Sequence, residues 1–328
     1  MFKKFILSKI LFILIQTPAI SAPFEVTVID SAIDFTHDYL KKNQSPYGVF
    51  DIHMNKPLDE TKRRLLSFFG EYTHATHVAG IIASNLENNK ENNCFINSAY
   101  FIKVGSKINA ESFERLENYL NTVNPKIVNL SIAEQYKFAI DHTIKKHEIA
   151  AENEQESILS AHEKIIEIFN THMDDQNKYW IDIFKSFPNT LFVIAAGNDS
   201  RLLSSEVFQT NMLPGTWEDY KTELLSGKIP GFKSLVAQIK LPNTITVGSF
   251  EGVELKLSSF SNYGSQYIDI LADGDKINST LPDGKWGLNS GTSMAAPQVT
   301  GLAAKILEGN LNLTVQQLKN AIYSFSLT

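Results

Sequence analysis

NSGTSMAAPQVTG, residues 289–301, surrounds Ser293 with small side chains at Gly291, Ala295 and Ala296 and sets Pro297 one turn further on. A core helix has no need of a Gly-Thr-Ser entrance; a serine that another molecule must reach does. In the first turn of a helix the N–H of such a serine has no intrahelical partner, and the helix dipole favours negative charge there. Thr292 and Ser293 also read as ordinary N-cap residues. Pro297 is tolerated because it falls near the helix start.

Around this stretch the chain alternates strand and helix patterns. GTSMAAPQVTGLAAKIL is apolar almost all round, which predicts a central, buried helix. LTVQQLKNAIYSF follows it, with Thr314 and Gln317 in capping-box spacing. Upstream, FEVTVID (24–30), YFIKV (100–104), KIVNLS (126–131), TLFVIAA (190–196) and NTITVGS (243–249) read as strands buried on both faces. HVAGIIASN (77–85), ESFERLENYLNTV (111–123) and NKYWIDIFKSF (177–187) read as helices between them. The expectation is a three-layer, doubly wound α/β fold: a mainly parallel sheet with helices on both faces. Residues 250–288, with ADGD and PDGK turns, are expected to form hairpins at the sheet's end. Residues 134–176 and 201–240 break the rhythm and read as surface insertions into one domain spanning 23–328.

Three further polar residues stand at strand and helix ends. Asp30 closes an apolar strand, where parallel sheets place their sites, though an isolated Asp more often caps a turn. His74 opens the HATHVAG helix; the dipole there disfavours a charged imidazole, so the ring is available as a base. His77, one turn later, makes a His-x-x-His pair, but zinc helices space their histidines four apart and no third ligand is evident. Asn198 ends VIAAGN with an amide that can donate over the sheet edge or simply form a turn. A hydroxyl such as that of Ser293 becomes a nucleophile only when a base takes its proton. The chain order Asp, His, Ser matches one already known for such triads.

With those residues in view, the chain resembles the subtilases, the subtilisin-like serine proteases of the S8 family. VTVIDSAID is similar to their Asp motif, HATHVAG to their His motif and SGTSMAAPQVTG to their Ser motif. VNLSI resembles their substrate-backbone strand and VIAAGN their oxyanion segment; SSFSNYG and YIDILADGDKINST resemble segments that precede the serine. The likeness runs from about residue 24 to 323, interrupted by the two insertions. It implies a subtilisin-like fold and a serine endopeptidase. Ser293 would be the nucleophile, His74 the general base and acid, Asp30 its orienting partner, and Asn198 an oxyanion donor. Ser131, Ile132 and Ala133 would pair with substrate backbone, and Ala195, Ala196 and Gly197 would border the pocket before the cut. Ala stands at 32 and 75 where the family usually has Gly, which costs on the order of 1 kcal/mol if either backbone needs positive φ. A silent binding protein on the same fold is the alternative, disfavoured because all four chemical groups are present. An α/β-hydrolase esterase fails because Gly291-Thr-Ser-Met-Ala lacks the second Gly of G-x-S-x-G.

The first 22 residues read as a secretory signal peptide. Lys3, Lys4 and Lys9 flank an apolar run and small residues follow at Ala19, Ser21 and Ala22. The remaining chain, with 27 basic and 36 acidic residues, is acidic, which gives no support to nucleic-acid or anionic-membrane binding. The expected partners are protein or peptide substrates. With few residues between the signal and Asp30, the chain is expected to fold unaided, with a chaperone or inhibitor in trans, or with the insertions substituting for such help. Cys94 alone forms no internal disulfide; it reads as a bystander in a polar loop. No cofactor and no catalytic metal is expected. ASNLENNKENN (83–93) offers carbonyl oxygens for a structural calcium and equally reads as a solvated turn.

Overall fold

Seven strands run parallel in one sheet: β1 (Phe24–Asp30), β2 (Gln44–Asp51), β3 (Cys94–Tyr100), β4 (Ile127–Leu130), β5 (Leu191–Ala195), β6 (Thr244–Glu251) and β7 (Ile270–Asp273). Their spatial order is β2-β3-β1-β4-β5-β6-β7, and two-residue strands prolong both edges. The computed structural model describes Lys4–Phe5 and residues 22–327 except 60–69, 71, 87–92, 103–107, 133–135, 204–212 and 230. The signal segment therefore lies almost wholly outside the described residues, as does most of the asparagine-rich loop. The chain lays down β1, moves out through β2 and β3, and returns across β1 to β4. The reversal leaves a crevice at the carboxyl ends of β1 and β4, the place where doubly wound sheets hold their ligands.

Both faces of the sheet are covered. On one, Val26, Val28, Val193 and Val247 meet α1 (Thr73–Ser84) and α6 (Thr292–Gly309). On the other, Ile29, Leu130, Phe192 and Ile194 meet α2 (Ala110–Val123) and the last turns of α4 (Gln155–Ser186). The three-layer expectation holds. The capping box at Thr314 and Gln317 opens α7 (Val315–Ser324) as read.

Four local expectations need correction. Of the strand expected at 100–104, Tyr100 is the last residue of a strand Cys94–Tyr100, Phe101 and Ile102 lie beyond it, and 103 and 104 lie outside the described residues; Cys94 is buried at the strand's start rather than in a polar loop. Its polar Asn97 hid the strand. That side chain is satisfied inside the sheet, donating to Glu25 Oε2 at 2.9 Å and accepting from the Tyr119 hydroxyl at 2.9 Å. Gln44–Asp51, with Pro46 near its start, is a further strand near the sheet's edge, where proline costs little. Ile270–Asp273 joins the parallel sheet, so the 250–288 region expected to form hairpins does so only in part: the end of β6 turns back onto Lys256–Leu257, and β8 (Ile277–Leu281) pairs with β9 (Lys285–Asn289).

The fourth concerns the insertions. The expected helix at 177–187 is the end of a single 32-residue helix, α4, which carries the first insertion straight into the core. α3 (Tyr136–Lys146), the front of α4 and α5 (Trp217–Leu225) share one apolar cluster, in which Tyr136, Ile165, Phe169, Tyr220 and Phe232 are buried together. The two insertions thus form one packed unit rather than two separate decorations.

Candidate active site

Asp30 is the last residue of β1, and its side chain is buried. His74 is the second residue of α1, and its Nδ1 donates to the carboxylate, 2.8 Å from each oxygen. The Ala75 N–H donates to Ser31 Oγ at 3.1 Å, tying the helix start to the strand end. The imidazole is 42% exposed, so its far nitrogen is reachable. The Asp30 charge holds the imidazolium above the ordinary histidine range, against the opposing effect of burial. The helix dipole was expected to keep this ring neutral; a carboxylate in direct contact outweighs the partial charge of a helix end. His77 points elsewhere, its Nε2 3.0 Å from the Gly287 carbonyl, and is fully buried.

β1 and β4 are neighbours in register, Ile29 opposite Leu130, so Ser131 lies about one strand spacing, ~4.8 Å, from Asp30. Ser131 is joined to Ser293 twice. Its Oγ donates to the Ser293 carbonyl at 3.3 Å, and the Ser293 hydroxyl donates to the Ser131 carbonyl at 3.4 Å. That carbonyl of Ser293 is available because Pro297, four residues on, has no N–H to give it. Below, Asn129 donates to Ser131 Oγ and accepts from Thr300 Oγ1, each at 2.9 Å. The hydroxyl of Ser293 thus rests on the strand end next to Asp30 and is not bonded to His74.

Asn198 is exposed at the end of the segment after β5. Its carbonyl oxygen accepts from Thr292 N at 2.8 Å and Thr292 Oγ1 at 2.9 Å. This leaves the NH₂ group aimed past Gly291, where a Cβ would come within 3.3 Å of it. A side chain at 291 would therefore crowd the Asn198 amide. Gly197, at φ +97°, donates its N–H to Thr292 Oγ1 at 3.0 Å. Ala195 and Ala196 lie in the core beneath α6 with no exposed side chain, so only their backbone can border a pocket. Ile132 is buried, and Ala133 lies outside the described residues. Neither Ala32 nor Ala75 has positive φ, so the two Gly-to-Ala departures carry no backbone strain.

The Subtilase family model, peptidase S8, matches residues 23–325. The chain belongs to the subtilase family. Over 85 residues, 26% of the chain, it is 42% identical to Subtilisin of Bacillus pumilus, of which that stretch is 30%. It is 42% identical over 84 residues to Alkaline serine exoprotease A of Vibrio alginolyticus, 26% of this chain and 15% of that one. The subtilase thus spans less than a third of the length of these curated relatives. Among solved structures, a cold-adapted subtilisin-like serine proteinase aligns with a TM-score of 0.54 at 21% identity, covering 93% of this chain and 84% of that one. A lanthipeptide protease aligns at 0.55 and 18% identity, covering 90% and 78%. These two show the fold.

Two residues of this subtilase escaped the sequence reading. Thr292 was read as a cap, yet it is the group that fixes both Asn198 and Gly197. Asn262 is fully buried and clamps the segment behind Asn198: its Oδ1 accepts from Asp199 N at 3.0 Å and Arg201 N at 3.1 Å, and its Nδ2 donates to Ala196 O at 2.9 Å. SSFSNYG carried the signal, as an Asn between two turns. Among the described residues no group of three His, Cys, Asp or Glu is placed to hold a metal, and no helix is long and apolar enough to cross a membrane.

Proposed function

We propose that this subtilase is a secreted serine endopeptidase that cleaves peptide bonds through an acyl-enzyme. The observation that carries the reading is the buried Asp30 carboxylate bonded to His74 Nδ1, one strand away from the end that holds Ser293. Ser293 Oγ attacks the carbonyl carbon of the substrate and its proton passes to His74 Nε2. Asp30 holds the tautomer that makes this possible and stabilises the imidazolium. The new oxyanion lies between the Asn198 NH₂ and the Ser293 N–H, which has no intrahelical acceptor. As the C–N bond breaks, His74 returns the proton to the leaving amine. Water then repeats the sequence on the ester, and Ser293 is released. Substrate backbone pairs beside Ser131 and Ile132, and the Gly197 backbone borders the pocket before the cut. The Ser293 hydroxyl reaches His74 by turning from the Ser131 carbonyl, a weak 3.4 Å bond in a site where contacts tighten on substrate binding. Export by the N-terminal signal segment is part of the same proposal.

A fluorophosphonate probe tests the reading, because it bonds only to an activated serine. Covalent labelling of Ser293 in the wild type is expected, with none in Ser293→Ala or His74→Ala. A folded wild type that takes no label would overturn the protease reading and leave a silent binding fold.

A further inference from the structure

The insertion unit meets the segment behind Asn198 around a buried cation, the first residue of the second insertion. Arg201, three residues beyond Asn198, is 2% exposed. Its guanidinium donates to the Phe232 carbonyl at 2.8 Å and to the Lys233 carbonyl at 3.3 Å, both on the second insertion. It also lies 4.2 Å from the ring centre of Tyr136, the first residue of α3 on the first insertion. The Tyr136 N–H in turn donates to Asp199 Oδ1 at 3.2 Å. Gly227, also on the second insertion, comes so close that a Cβ there would stand 3.1 Å from the Asp199 carbonyl. Asp199 and Arg201 are thus gripped on one side by the insertion unit and on the other by Asn262.

We propose that Arg201 is a positioning residue for the reaction: through Tyr136 and the 232–233 carbonyls it uses the insertion unit to hold the Asn198 amide at the oxyanion position. The inference rests on the proposed oxyanion role of Asn198. A planar guanidinium can stack on one ring and donate to two carbonyls at once; a lysine ammonium cannot match this. The amide must be in place before charge develops, because preorganised donors stabilise a transition state without reorganising. Residues 197–201 are a short loop, with left-handed backbone at Gly197 and at Ser200, φ +56°. Such a loop needs fixing from both sides, and a displacement of about 1 Å at a catalytic donor costs up to about 100-fold.

Steady-state kinetics on a peptide substrate test this, with thermal melts run beside them and assays held below the melting range. Arg201→Lys and Tyr136→Leu are expected to lower kcat by about 10-fold or more while KM stays within about twofold. Tyr136→Phe keeps the ring and loses only a hydroxyl that has no partner among the described residues, so it should restore kcat. In an Asn198→Ala background, Arg201→Lys should cause no further loss, because the amide it positions is gone. Wild-type kcat in both Arg201→Lys and Tyr136→Leu, or an equal loss with and without Asn198, would overturn the proposal. An inactive wild type would overturn the protease reading and the inference with it, so the two failures are told apart.

Discussion

The Asp30–His74 contact makes opposite demands on activity and stability. In the proposed role of general base His74 must be neutral, and Asp30 raises its proton affinity. The acid limb of kcat/KM should therefore lie above the pH of an ordinary imidazole, about 6.5, and Asp30→Asn should move it down. That variant should also lose about 10⁴-fold in kcat, the size seen in other Asp-His-Ser enzymes. Stability follows the other sign. A raised histidine pKa contributes stability that is complete below the unfolded value and is lost as pH rises through the folded value. Urea midpoints of wild type and Asp30→Asn should differ most below the unfolded histidine value, about 6.5, and converge as pH rises through the higher folded value. A gap that widened with pH would contradict this account of the pair.

At the scale of elements, α6 is the point where sequence and site meet. Pro297 looked like a tolerated irregularity near a helix start; its consequence is a free carbonyl at Ser293 that Ser131 occupies. The coupling can be measured. Ser131→Ala should leave that carbonyl buried without a donor and cost about 1–3 kcal/mol of stability. Pro297→Ala supplies a donor from within the helix, so the double variant should cost less than the sum of the two single changes. Strict additivity in chemical denaturation would show that the Ser131 bond does not depend on the proline. The same element shows what was legible beforehand. Ser293, His74, Asp30 and Asn198 stood out because their motifs are local. Thr292 and Asn262 did not, because their work is done across 95 and 66 residues of chain, to Gly197 and Ala196. Strand β3 was misplaced for a related reason: the partners of Asn97 lie on β1 and α2, and only the assembled sheet makes that residue a core residue.

The whole molecule holds two bodies of packing, the sheet with its helices and the insertion unit. The sequence showed both insertions but not their union, because Tyr136, Ile165, Tyr220 and Phe232 are brought together only by folding. The unit carries a titratable group in its own core. His162 of α4 is buried, with Nδ1 3.1 Å from the Tyr220 hydroxyl and its ring edge-on to Tyr220 and Phe232 at 5.9 and 6.0 Å. Burial pushes its proton affinity down. In the unfolded chain the same ring takes a proton near pH 6.5, so the open state gains protons that the packed state refuses. By linkage, the unit's stability falls as pH drops below about 6.5. Hydrogen exchange through α3, the front of α4 and α5, corrected for intrinsic rates, should therefore quicken between pH 7.5 and pH 5 while β1, β4 and β5 stay protected. His162→Gln keeps a hydrogen-bonding side chain without the titration and should flatten the pH dependence. If both proteins lose protection in these helices equally on acidification, His162 is not the group responsible.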